Sequence, residues 1–178
     1  MLKQMNQDRR RNVLSVIIAI ALASIIRNFV IGLYRVPSGS MIPTLNINNY
    51  LMGSIIAYKI SEPERGDVVI FKYPISERPH QKTVRYVKRL VGMPGDKVCI
   101  KDNQLLINDQ ALEEPYIAES TMMPDFGPIV VPEGQYFMMG DNRNHSNDSR
   151  YWGFVDRKYI IAKGMLVYWP FNQCRVIH

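Results

Sequence analysis

A chain of 178 residues, 47% of them hydrophobic, suits one folded domain with an appendage. The net charge of +6 is uneven: residues 1–12 carry +3, Arg27 adds one, and residues 35–178 carry only +2. A nearly neutral body argues against nucleic-acid binding, and two cysteines and three histidines without a cluster argue against a zinc site.

Residues 13–26, VLSVIIAIALASII, form an uncharged run. It is short for the roughly 20 residues of a membrane span. If Arg27 reaches back to lipid headgroups, the helix extends to residue 33 and Tyr34 sits at the interface. Arg9, Arg10 and Arg11 precede the run, which keeps the amino terminus cytoplasmic and the body outside. The expected division is a basic tail 1–12, a transmembrane anchor 13–34 and an extracytoplasmic body 35–178. A cleavable secretory signal is the alternative, because a basic start, a short apolar stretch and Ala21-Leu22-Ala23 also fit that pattern.

Directly after the run stands VPSGSMIPTL, residues 36–45. Its two serines around a glycine suit either a turn or a nucleophile. Beyond it the pattern is mainly β. Residues 67–73 and 83–91 read as strands, the second ended by Gly92-Met93-Pro94-Gly95-Asp96. Residues 97–101 and 104–107 flank Asp102-Asn103 as a hairpin. Further strands are expected at 128–132, 135–139 and 162–169, and a brief helix near 157–161. Residues 75–82 and 119–127 read as irregular connections. Many short strands between Gly/Pro turns predict an antiparallel β body. Cys99 and Cys174 are expected to be buried free thiols, with one disulfide as the alternative.

A serine nucleophile needs a base. His80, His145 and His178 lie in polar or terminal settings. A lysine can serve if burial lowers its pKa from the reference of about 10.4. In the strand 83–91, Val84, Tyr86, Lys88 and Leu90 share one face, so Lys88 is one charge in an apolar row. Lys72, with Val68 and Ile70 on its face, is the rival. Either could instead be an edge lysine that deters strand aggregation.

Four blocks in order then carry a resemblance: PSGSMIPTL (37–45), RGDVVIFKYP (65–74), VKRLVGMPGD (87–96) and GDNRNHSNDSRYWGFV (140–155). The chain resembles bacterial type I signal peptidases, membrane-anchored Ser–Lys proteases. The resemblance implies Ser40 as nucleophile and Lys88 as general base. It implies Ser38, with the Ser40 N–H, as the oxyanion hole, and Ser146 as the group orienting the lysine. Asp141, Arg143, Asp148, Arg150 and Arg89 become supporting residues, with Arg89 paired to Asp141. Val36, Met41, Leu45, Tyr86 and Val87 become candidates for pockets that take small residues. The implied activity is removal of signal peptides from exported preproteins after Ala-x-Ala sites. It needs no metal or other cofactor. The implied location is the outer face of a bacterial plasma membrane, in contact with lipid and near the export machinery. Asn144-His145 departs from the family's usual Asp-Asn before the serine.

Overall fold

The structure is a computed structural model and describes residues 2–72, 84–118 and 121–177. The expected connection 75–82 with His80, and His178, lie outside the described residues.

Helix α1 spans Leu2–Phe29. Its apolar side chains at Val13, Leu14, Ile17 and Ile20 are exposed. Among the described residues, no helix is long and apolar enough to cross a membrane. The helix also stops short of the expected residue 33. Residues Ile31–Arg35 form strand β1, paired antiparallel with β2 (Tyr50–Ser54). That backbone pairing satisfies the groups that a continuing helix would have used internally.

A short helix α2 (Ala57–Ile60) leads to β3 (Val68–Lys72) and β4 (Arg85–Gly92). Next come β5 (Lys97–Lys101), β6 (Gln104–Ile107), β7 (Gln110–Ala111), β8 (Phe126–Val130) and β9 (Gln135–Met139). The chain ends with α3 (Ser149–Trp152), β10 (Val155–Asp156), β11 (Ile160–Trp169) and β12 (Arg175–Val176). The expected helix near 157–161 is only a 3-10 turn, Arg157–Tyr159, before β11.

The strands build two antiparallel sheets. The larger runs β1-β2-β11-β3-β4-β9-β10, with β12 on β11, and the smaller runs β7-β6-β5-β8. The body is mainly antiparallel β, as the strand pattern predicted. The hairpin β5–β6 turns on Asp102 and Asn103, both with positive φ (50° and 64°), the geometry of a two-residue turn that matches strand twist.

At the centre, β3 is covered on both sides. Val68 and Ile70 pack with Val36, Met41, Leu45 and Leu51, while Val69 and Phe71 pack with Leu90, Met138 and Val155. Neighbouring residues of a strand face opposite ways, so a strand covered on both faces reads as a continuous apolar run. β4 lies beside it, with Lys88 opposite Val69 and Arg89 opposite Val68. Both charged residues are thereby carried into the interior. The cysteines are free, but Cys99 is only half-buried and Cys174 is exposed, against the expected burial.

Candidate active site

The loop after β1 is pinned at both ends by backbone bonds: Val36 N–H donates to Asn49 O and Asn48 N–H to Val36 O, each at 2.9 Å. Met41 and Leu45 plug it into the core. Ser38 is therefore left exposed and Ser40 half-buried, with their Oγ atoms 3.4 Å apart.

The segment after β9 grips this loop. Asn142 N–H donates to Ser40 O at 3.1 Å, and Asn142 Nδ2 donates to Gly39 O at 3.0 Å. Gly140 makes the approach possible. A Cβ there would sit 2.2 Å from Ser146 Oγ and 2.3 Å from Ser40 O. Gly140→Ala must push one of them away, so it should lower the unfolding free energy by about 1–3 kcal/mol. Denaturant titration measures this, and an unchanged midpoint would show that the Ser40 loop yields without cost.

Lys88 is 2% exposed and its Nζ donates to Ser146 Oγ at 2.9 Å. Burial pushes its pKa down to about 8. The Arg150 charge pushes the same way, and the Asp148 and Asp141 carboxylates pull it partly back. An amine with that pKa is neutral in an appreciable fraction near neutral pH and can accept a proton. Lys72, the rival, ends β3 exposed to solvent. His145 is likewise exposed, on a 3-10 turn.

Two buried ion pairs frame the segment 140–150. Arg89 and Asp141 are 1% and 0% exposed in their side chains and bond through Nε (2.9 Å) and Nη2 (2.8 Å). Thr44 Oγ1 donates to the same carboxylate at 2.5 Å, and Arg89 Nη1 donates to Gly66 O at 2.6 Å. Asp148 caps α3 and accepts from Arg150 Nε (2.8 Å) and Nη2 (2.9 Å) and from Gly140 N–H (3.1 Å).

Arg143 adds a third pair. Its Nε donates to Gly140 O at 3.0 Å, while its two Nη atoms grip Glu114. Tyr116, whose hydroxyl donates to Glu114 at 2.8 Å, lies 3.8 Å beneath the Arg89 guanidinium. Thr44, Glu114, Tyr116, Gly140 and Asn142 were not among the expected site residues. Thr44 and Asn142 sat inside the quoted blocks as polar groups, which was their only signal.

A cleft of about 380 Å³ opens on the two serines. Val36, Met41, Tyr86 and Val87 line it, together with Leu33, Tyr34 and Ile70. Leu45 does not: it is fully buried in the core beneath, packed with Val36 and Met41. Lys88 stands one residue beyond Val87, on Ser146 and off the cleft wall. Among the described residues, no group of His, Cys, Asp or Glu could hold a metal ion.

Residues 9–169 match the family model described as signal peptidase, peptidase S26. Signal peptidase I of Bacillus licheniformis is 41% identical over 171 residues, which is 90% of this chain and 89% of the relative. Signal peptidase I S of Bacillus subtilis is 36% identical and 98% of each chain is covered. The probable signal peptidase I-2 of Synechocystis is 38% identical, covering 88% of this chain and 71% of that one. A crystal structure of a signal peptidase I from Enterococcus faecalis aligns with a TM-score of 0.49 at 33% identity, over 58% of this chain and 97% of that one. With a family match across most of its length and relatives of this identity and coverage, the chain belongs to the signal peptidase family, peptidase S26, and is a serine endopeptidase.

Proposed function

We propose that this enzyme removes N-terminal signal peptides from exported preproteins, cutting after a small residue with Ser40 as nucleophile and Lys88 as general base. The observation that carries the reading is a lysine 2% exposed, with its pKa pushed down to about 8, hydrogen-bonded to Ser146. Ser146 in turn touches the same glycine, Gly140, as the Ser40 carbonyl. Neutral Lys88 takes the Ser40 proton as Oγ attacks the scissile carbonyl. The oxyanion accepts from the Ser40 N–H and the Ser38 hydroxyl. Protonated Lys88 then gives its proton to the leaving amine, and the ester on Ser40 is hydrolysed by a water that Lys88 deprotonates.

Ser146 holds the lysine in place. Arg89, Asp141, Arg143, Asp148 and Arg150 shape the backbone around it and take no part in the chemistry. Substrate binds extended in the cleft, its small residues against Val36, Met41, Tyr86 and Val87. The exposed apolar side chains of α1 sit in lipid, with the basic residues 9–11 on the cytoplasmic side and the β body on the outer face of a bacterial plasma membrane. The anchor runs from about residue 13 to the end of α1, and the site works near the export machinery.

The pH profile of preprotein cleavage tests the base. Only neutral Lys88 is active, so kcat/KM should rise about tenfold per pH unit below pH 8 and level off above it. At pH 7 about a tenth of the enzyme should be in the active form. A limb near pH 6.5 would point to a histidine instead, and a flat profile from pH 6 to 9 would remove Lys88 as base.

A further inference from the structure

We infer that Arg85, assisted by Arg35, forms a cationic subsite in the cleft that selects an acidic residue four or five positions before the scissile bond. The inference rests on the proposed function, because it takes the cleft as the place where substrate lies.

Both arginines line the cleft, and no aspartate or glutamate does among the described residues. Arg85 begins β4 and is exposed, and its guanidinium lies 6.0 Å from the centre of the Tyr34 ring on β1. The charge is thereby held across the cleft mouth, between the two strands that wall it. Arg35, also exposed, donates from Nη2 to Asn48 Oδ1 at 2.7 Å, a neutral partner, and no carboxylate pairs with it among the described residues. Lys72, the register partner of Arg85 on β3, is exposed beside them and adds a third cation.

The position along the substrate follows from strand geometry. Arg85 precedes Lys88 by three residues on β4, about 10 Å at a strand rise of about 3.3 Å per residue. An extended substrate advances at the same rate. Its small residues before the bond occupy the apolar stretch between Ser40 and Tyr86, so the chain upstream of them runs toward Arg85. The side chain reaches beyond its own Cα, which puts the fourth or fifth substrate residue in its range.

Full-length enzyme in detergent, given peptides with Asp, Asn or Lys at these two positions, tests the inference through kcat/KM ratios within each variant. At low salt the wild type should prefer Asp over Lys about fivefold at one of the positions, the range of an exposed ion pair. In about 1 M salt, where the screening length falls to about 3 Å, the preference should vanish. Arg85→Gln should bring the ratio toward one, Arg85→Lys should retain a preference, and Arg85→Glu should invert it. A wild-type ratio of one at low salt, or a ratio that survives Arg85→Gln unchanged, overturns the subsite and leaves the proposed function standing. If the Asn peptide is not cleaved in a Ser40-dependent way, the proposed function fails and the subsite fails with it.

Discussion

Lys88→Met should abolish cleavage and at the same time make the domain more stable. On the proposed mechanism, loss of the base should cost about 10⁴-fold or more in kcat, and Ser40→Ala should cost a similar factor. In that mechanism the two groups act as a unit, so the double variant should be no slower than either single one. The stability gain has a separate cause. Burial lowers the Lys88 pKa from the usual 10.5 to about 8, a drop equivalent to about 3 kcal/mol against folding while the side chain is charged. The sign follows from proton binding. Between pH 8 and 10.5 the unfolded chain holds the lysine proton and the folded chain has released it, so stability rises with pH across that window. Methionine removes the charge and forfeits one hydrogen bond to Ser146, worth about 1 kcal/mol. The net expectation at pH 7 is a gain of about 2 kcal/mol, read from denaturant titration beside a preprotein assay. A variant that lost stability along with activity would make Lys88 part of the scaffold.

Breaking the Arg89–Asp141 pair should have the largest effect on folding. Both side chains are almost wholly buried. Asp141→Ala strands a guanidinium in the interior and should cost about 3–5 kcal/mol. Arg89→Met with Asp141→Leu removes both charges and should cost less than either single truncation. If Asp141→Ala shifts stability by under about 1 kcal/mol, water must reach Arg89 and the pair is not a buried one. Activity offers a second reading. The Asp141 carboxylate pulls the Lys88 pKa up, so in Asp141→Asn the ascending limb of residual activity should move to lower pH.

Part of this fold and site is legible in the sequence. The hairpin β5–β6 follows from two turn residues that tolerate positive φ between alternating strands. Lys88 stood out because alternation put it in an apolar row, and the structure buries it beside the apolar core of β3 and β9. The same alternation gave no hint that Arg89, on the opposite face, is equally buried. At the centre of this sheet both faces are covered, and the period-2 signal that separates inside from outside is lost there. β1 was hidden for another reason. IGLYR follows Arg27-Asn28 as a second apolar stretch that suits a continuing helix equally well, and only its pairing with residues 50–54 turns it into a strand. Leu45, a pocket candidate by the family resemblance, plugs the loop from below instead. Glu114 could not be found from spacing. A glutamate pair before a proline resembles a solvated turn, and its partner Arg143 is 29 residues away.

Strand β1 has two employments. One residue separates the end of α1 from it, and its far end passes directly into the serine loop. It therefore joins helix α1 to the serine loop and also supplies Leu33 and Tyr34 to the cleft. A deletion of one residue within it would turn the later side chains of β1 to the other face, taking Tyr34 off its seat over Gly53. With α1 as the proposed anchor, the reach of the site above a membrane cannot then be adjusted independently of what the cleft recognises. Relatives adapted to thicker or thinner bilayers should vary in the length of the helix and hold the spacing from Ile31 to Ser40 constant.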